Sequence, residues 1–598
     1  MALTAEQLEQ QKKQAEELLF SGPQTLGFAK GLFYGHFNAD LVFPYPEIEP
    51  DERKAVENAV AELRRFADEK LDPMAIDRNA EIPPEVISGL GTLGVLGMTA
   101  PKEYGGRGLS QLGNCKILEE IGSRCSATAI FVNAHQSIGI RALLLFGTEE
   151  QKRRWLPALC TGEKLAAFAL TEPQAGSDAG NVQTTAIPSA DGKTYMLNGE
   201  KRYITNGGIA QVLTVMARTP PAQGADAPRS DNKEDWKVTA FLVTPDMPGF
   251  EVVEARMPKC GIRGTATARL AFHDMPVPAE NVLGQVGKGL KVALTVLDFG
   301  RTTFGASCTG AAKTCLRAAA RHAKTRVQFK QTLSEFELVK KKIAFMAASA
   351  FAMEATTSQC AGFIDRGAED YMLETAMLKV WSTEALWIIV NDMIQIFGGQ
   401  AYFSNEPYER MMRDARINQI GEGANDVLRA FIALVGMRGV GEQLKGMLDH
   451  PLKEPGAVWR FVRGQLGGRL HLTAPEIPVR SSALHADARR LGQRVRDFGL
   501  AVVDMLRKYR EAILERQYVQ ERIADAACDL YASSCTLSRL DSLLAGGNHQ
   551  PLENHPDVIA GQYFLKLADR RIRHNLAALH DNDDADTTRT ANAVLKQF

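Results

Sequence analysis
A chain of 598 residues exceeds what one hydrophobic core can organise, so about two to four packed units are expected. Its 70 Lys and Arg stand against 71 Asp and Glu, a balance that argues against nucleic acid as the main partner. Charged residues at 24% and apolar residues at 45% are those of an ordinary soluble globular protein, and nine cysteines without a C-x-x-C pair argue against both a disulfide framework and a zinc site.

Residues 1–50 form an N-terminal extension. It opens on a polar helical stretch at 6–19 and ends in Phe43-Pro44-Tyr45-Pro46, where two prolines enforce extended backbone. The first 20 residues show neither a signal-peptide core nor an Arg-rich transit pattern. No run approaches the roughly 18 consecutive apolar residues of a membrane span. The expected location is therefore the cytoplasm. Residues 51–164 read as a helical domain. Val56, Val60, Leu63 and Phe66 fall on one helix face, and the glycines of Leu90-Gly91-Thr92-Leu93-Gly94-Val95-Leu96-Gly97 punctuate a turn.

The period then changes. Residues 194–198, 212–217, 238–243 and 268–272 are short apolar or alternating runs bounded by Gly, Pro and Asn, and predict a small β-domain over 165–283. Residues 218–235, rich in Pro, Ala, Asp and Gly, predict an exposed loop within it. Helical periodicity returns over 284–440. Residues 441–480 break it with Pro451, Pro455, Pro475 and Pro478. Trp459, Phe461 and the arginines 460, 463 and 469 in this break suit either a segment lying on an anionic membrane or a basic linker. From 481 to 598 the chain reads as a further helical domain, with Leu484, Leu491, Val495, Phe498, Val502 and Met505 on one face.

One carboxylate draws attention. Glu422 stands beside Gly423, ahead of Asn425 and Asp426, which are good helix N-cap residues. A carboxylate on a tight loop entering a helix suits a general base, although a surface Glu before an ordinary helix has the same pattern. Three other strings stand out. Phe168-Ala169-Leu170-Thr171-Glu172-Pro173-Gln174-Ala175-Gly176-Ser177-Asp178 reads as a turn, and Tyr203-Ile204-Thr205-Asn206-Gly207-Gly208 as a strand entering a hairpin. Asp298 and Arg301 have the spacing of an i, i+3 ion pair. His135 reads as a packing or pocket-wall residue, and Lys340-Lys341-Lys342 as a solvated helix face.

Taken with Gln395-Ile396-Phe397-Gly398-Gly399 and Met412-Arg413-Asp414, these strings resemble the acyl-CoA dehydrogenase family, closely over about residues 25–440 and more loosely beyond. The branch with a C-terminal extension, the very-long-chain dehydrogenases, is the nearest in pattern. The resemblance implies a mainly α fold with a small β-domain: an N-terminal helical domain, a β-barrel-like middle domain and a C-terminal four-helix bundle, plus an extra C-terminal helical domain. It implies FAD as cofactor, an acyl-CoA substrate, an electron-transfer flavoprotein as acceptor and a homodimer. No metal and no nucleic acid are expected, and a peripheral contact with the inner face of the membrane is.

By the same resemblance Glu422 is the catalytic base. Phe168, Leu170, Thr171, Gly176, Ser177, Tyr203, Ile204 and Thr205 line the flavin, joined by Ala424 and Asn425. Arg326, Phe329, Phe336, Gln395, Gly398 and Gly399 reach the flavin of the partner subunit, with Glu337 beside them. Ser177, Asp298, Arg301 and Gly423 contact substrate, and Ala129 and Asn133 form the floor of the acyl pocket. Two departures are visible: Tyr203 where Trp is typical, and Ala424 where Thr is usual. The rival readings are an acyl-CoA oxidase, which hands electrons to oxygen, and a scaffold for a respiratory complex.

Overall fold
The computed structural model describes residues 26–221, 235–449, 474–545 and 554–598. The predicted helix at 6–19, most of the loop at 218–235 and most of the break at 441–480 lie outside the described residues. Compactness divides the chain into two units. The first holds Glu47–Ile343 and Ser382–Ala424; the second holds Pro23–Pro46, Ala344–Trp381 and Asn425–Phe598. The division falls inside two long helices, Glu337–Asp365 and Met372–Phe397, so the predicted 284–440 region contributes to both units.

In the first unit, helix Pro50–Lys70 starts with proline at N1 and Asp51 and Glu52 in its first turn, both favourable at a helix N-terminus. It buries Val56, Ala59, Leu63 and Ala67, while the predicted Val60 and Phe66 lie on the flank of that stripe. Phe66 is occupied elsewhere: a Cβ at Gly89 would come within 2.3 Å of its ring, so only glycine lets helix Pro84–Thr92 pack there.

Among the described residues, the β-domain has eight strands. The four predicted runs extend into β3 (Thr194–Ile204), β4 (Val212–Thr219), β5 (Lys237–Val243) and β7 (Ala268–Pro278). Four more strands complete the sheet: β1 (Ala166–Ala169), β2 (Thr185–Pro188), β6 (Phe250–Glu254) and β8 (Val282–Leu283). The order is β6-β7-β3-β2-β4-β5-β8, with β1 parallel to β4. Both faces of β4 are buried. Val212 and Met216 join a cluster with the N-terminal helices, while Leu213, Val215 and Ala217 join the other face of the sheet. A strand covered on both sides reads as a continuous apolar run, as this one does.

Helical residues Ser126–Phe146 are, by length and composition, sufficient to cross a membrane, contrary to the sequence reading. Two-thirds of that window is buried inside the fold, which accounts for its apolar character. Its centre, Ala134–Ile140, is a π-helix packed on β1.

In the second unit, helices His485–Tyr509, Gln517–Ala545 and Pro556–Ala578 pack on one another. All six predicted face residues from Leu484 to Met505 are buried. Asp529, on Gln517–Ala545, links that helix to Pro556–Ala578 by pairing with Arg571 at 2.6 Å and accepts from Trp381 Nε1 at 3.2 Å.

Candidate active site
The approach to Glu422 is anchored twice within the first unit. On helix Tyr408–Arg416, Arg413 pairs with Asp77 and Glu409, each at 2.7 Å. Asp414 accepts from the Ile262 backbone N–H at 2.5 Å and pairs with Arg410 at 2.9 Å. The chain then turns, with φ of 59° at Glu422 and 94° at Gly423. The left-handed conformation is natural for Gly423 and strained for Glu422. Arg301 holds the strained peptide: its Nε donates to the Glu422 carbonyl at 3.4 Å, and its Nη1 to Asp298 at 3.3 Å.

Below the carboxylate lies bare backbone. A Cβ at Gly300 would stand 3.4 Å from Glu422 Oε2 and 3.3 Å from Ile138 Cγ1. Gly300 belongs to helix Gly289–Thr325, and its carbonyl accepts from Asn133 Nδ2 at 3.4 Å. Thr303 Oγ1, one turn on, bonds to Asn133 Oδ1 and to Ser137 Oγ, the latter at 3.0 Å. This buried polar layer fixes the Asn133 amide against the helix beneath Glu422. Ala129, one turn before it, is fully buried.

Asp298 and Arg301 form the i, i+3 ion pair and are only 7% and 6% exposed. The Asp298 carboxylate faces Arg301. His135 is fully buried. Its Nδ1 accepts from the Ala166 N–H at 2.9 Å and its Nε2 lies 3.0 Å from the Leu159 carbonyl, so the neutral ring satisfies both neighbours. Burial lowers its pKa to about 4.

The predicted flavin-lining strings meet where the chain leaves β1 and nears the end of β3. Phe168 and Leu170 pack half-buried on the cluster that contains Ile138. The Thr171 carbonyl accepts from the Arg202 N–H at 2.9 Å. Gly176 and Ser177 are exposed, and nothing stands within 4 Å of where a Gly176 Cβ would be. A bulge between Lys201 and Ile204 sends Tyr203 outward with φ of 61° and 57% exposure, its ring under the Arg202 guanidinium. The Ile204 side chain is buried in the sheet core, so only its backbone is available to a ligand. Thr205 is half-buried, and Asn206 Nδ2 donates to the Phe131 carbonyl at 3.0 Å. An open backbone at Gly176 and the hydroxyls of Thr171, Ser177 and Thr205 are of the kind that suits a flavin with its anionic pyrophosphate.

Two residues that sequence reasoning passed over support this junction. Lys201 Nζ bonds to Glu172 Oε1 at 2.6 Å and to the Leu170 carbonyl at 3.0 Å. Desolvation lowers the Lys201 pKa to about 8, against the pull of Glu172. The available signal was alternation: Lys201 falls in register with the buried Leu197, on the inward side of the strand.

A second group is exposed. Phe329 has φ of 50° and 89% exposure, with Phe336 edge-on to it at 6.2 Å, and Arg326, Glu337, Gln395, Gly398 and Gly399 are exposed too. His322 stacks on Phe397 at 4.2 Å and Phe397 on Tyr408 at 4.0 Å, holding the ends of helices Gly289–Thr325 and Met372–Phe397 together. Ala424 is half-buried. Asn425 lies in the second unit, where its Oδ1 accepts from the buried Lys379 ammonium at 2.8 Å, so its amide oxygen is committed to that bond.

Family models match along this whole architecture. The N-terminal domain of acyl-CoA dehydrogenases matches residues 53–163, the middle domain 167–275 and the C-terminal domain 287–436. The C-terminal domain of ACAD9/ACADV matches 482–598. The very long-chain specific acyl-CoA dehydrogenase of Homo sapiens mitochondria is 36% identical over 572 residues, covering 94% of this chain and 85% of that protein. The chain belongs to the acyl-CoA dehydrogenase family.

This dehydrogenase is also 33% identical to the probable acyl-CoA dehydrogenase FadE10 of Mycobacterium tuberculosis, over 98% of its own length and 91% of that protein. Among solved structures, an acyl-CoA dehydrogenase complexed with FAD from Bacillus anthracis superposes with a TM-score of 0.77 at 28% identity. The match covers 95% of this chain and 94% of that one. The protein is accordingly an FAD-dependent oxidoreductase acting on acyl-CoA, with the predicted fold.

Proposed function
We propose that this acyl-CoA dehydrogenase oxidises long-chain fatty acyl-CoA to the trans-2-enoyl-CoA, with Glu422 as the base, and passes the electrons to an electron-transfer flavoprotein. The observation that carries the assignment of the base is the seat of Glu422, its carboxylate over the bare backbone of Gly300 and its peptide held by Arg301. A substrate α-carbon can approach there without meeting a side chain from Gly300. Glu422 takes the α-proton as the α,β-double bond forms. FAD, when bound, accepts the β-hydride. Thr171, Ser177, Tyr203 and Thr205 would hold the cofactor, and the surface with Arg326, Phe329 and Gln395 would complete it in a homodimer.

The preference for long chains is supported by the small Ala129 and by the human relative, a very long-chain specific enzyme. Affinity should rise by about 0.8 kcal/mol per buried methylene until the chain meets the floor at Asn133. Activity assayed from four to sixteen carbons tests this, and a flat profile would count against it. Glu422→Gln should retain FAD yet lose about 10²–10⁴-fold in turnover. A Gln variant whose flavin still bleaches with saturated acyl-CoA at the wild-type rate removes Glu422 from this role. Reduced enzyme should reoxidise quickly with an electron-transfer flavoprotein and slowly in air; the reverse order is that of an oxidase.

The proposed location is the cytoplasm, against the inner face of the membrane through residues 453–480. Their sequence joins Trp459 and Phe461 to three arginines, each worth about 1 kcal/mol near anionic lipid. Equal sedimentation with neutral and anionic liposomes would leave the segment as a linker.

A further inference from the structure
We infer that Lys201, Glu172 and Arg218 are positioning residues that fix the loop from Thr171 to Thr184 against β3 and thereby set FAD affinity. The inference rests on the reading that this loop and Tyr203 line the flavin.

The loop is held at both ends while its tip is exposed. At its start, Lys201 Nζ bonds to the Leu170 carbonyl and to Glu172 Oε1, and the Arg202 N–H bonds to the Thr171 carbonyl. Glu172 then reaches across to the far end, accepting from the Gln183 N–H at 2.5 Å and the Thr184 N–H at 3.0 Å. Arg218, on β4, donates to the carbonyls of Gly180 at 2.7 Å, Val182 at 2.5 Å and Trp236 at 3.0 Å. Between these anchors, Pro173, Gln174, Gly176, Ser177 and Asp178 face solvent. Lys201 sits two residues before Tyr203, at the start of the bulge that turns the tyrosine out. One ammonium thus sets the spacing between the two strings that face the cofactor.

Stability alone does not call for this arrangement. A buried ion pair regains little more than its desolvation cost, and apolar residues of the same volume serve a core as well or better. Here the Lys201 and Glu172 side chains are 0% and 2% exposed, and Glu172 uses both oxygens on backbone N–H groups of one loop. What they secure is a loop shape.

The test uses the full-length holoenzyme and the variants Lys201→Met, Glu172→Gln, their double and Arg218→Met. Amide hydrogen exchange over residues 171–184 reads the loop; FAD titration and the visible circular dichroism of the flavin read the site. Each single variant should speed exchange in the loop, alter the flavin spectrum and raise the FAD Kd by about 10-fold or more. The double should lose less than the two singles together, because no buried charge is left alone. Asn281→Ala, which removes a buried bond to the Leu242 carbonyl elsewhere in the sheet, should lower Tm without moving the Kd. Where Lys201→Met alone does not fold, the double and Arg218→Met carry the same readouts. Unchanged exchange with unchanged Kd overturns the clamp. A loosened loop with unchanged Kd and spectrum instead overturns the reading that the loop lines the flavin.

Discussion
Glu422 occupies a backbone conformation that costs a non-glycine residue about 1–3 kcal/mol, and the surrounding structure supplies the restraint. Arg301 grips its carbonyl from one side and Gly300 leaves room for its carboxylate on the other. A methyl group at Gly300 would press on both Oε2 and Ile138, so Gly300→Ala should reduce kcat by about 10-fold or more through misplacement of the base. Rapid-mixing reduction by acyl-CoA checks it: the rate should fall while FAD content and Tm stay near wild type. His135 gives a second prediction at this scale. Its pKa of about 4 in the fold lies below the ordinary value of 6.5, so the unfolded chain binds the extra proton between those values. Stability should rise with pH from about 4 to 6.5, by about 3 kcal/mol for this group. His135→Gln should flatten that slope in Tm measured against pH, even while lowering Tm at pH 7.

At the scale of elements, the second unit offers a contrasting case. Helix Phe28–Phe33 rests on carboxylates of the 344–381 region. Asp370 accepts from the Gly27 N–H at 3.1 Å and pairs with Lys30 at 2.8 Å, and Glu374 accepts from the Ala29 N–H at 2.7 Å. Burial, with Asp370 nearby, raises the Glu374 pKa to about 8. The folded state therefore holds a proton that the unfolded chain has released, and stability is full below 4.5 and lost as pH climbs through about 8. Glu374→Gln keeps the acceptor and removes the charge. It should match wild type at pH 4.5 and exceed it in Tm at pH 8, and a variant less stable at every pH would refute this account. In the sheet, the second of two irregularities in the β3–β7 pairing does comparable local work, since the shift between Lys201 and Ile204 turns Tyr203 out.

For the whole molecule, the proposed homodimer would cover a set of exposed aromatic residues. Phe329 at 89%, Tyr402 at 79% and Phe403 at 65% exposure are large apolar surfaces in a protein whose composition is otherwise ordinary. They accompany Arg326, Gln395, Gly398 and Gly399, the residues expected at the flavin of a second subunit. Phe329→Asp with Tyr402→Ser should shift the protein to a monomer in sedimentation velocity and lower its retained FAD. A variant that stays dimeric with a full complement of FAD would place the interface elsewhere. All nine cysteines are free and eight are buried, so reducing agents should leave the Tm unchanged.

Periodicity and short strings lie along the chain, and what depends on them was legible in it. The change from a period near 3.6 to a period of 2 and back located the β-domain and its four longest strands, and contiguous motifs identified the family and its FAD. The C-terminal face from Leu484 to Met505 was equally plain, because one helix and its N-cap residue Leu484 carry all of it. What the tertiary structure decided depends on segments far apart in sequence. β1, with the sequence Ala-Ala-Phe-Ala, has weak strand character of its own and exists because β4 pairs with it. The apolar run at Ser126–Phe146 belongs to an interior that composition does not reveal. Gly300 looks like any helical glycine until the loop of Glu422 folds onto it. Lys201 and Glu172 look like surface charges until the strand and the loop bring them together. Burial and pairing are properties of three-dimensional neighbours, and a residue's type says little about them until those neighbours are in place.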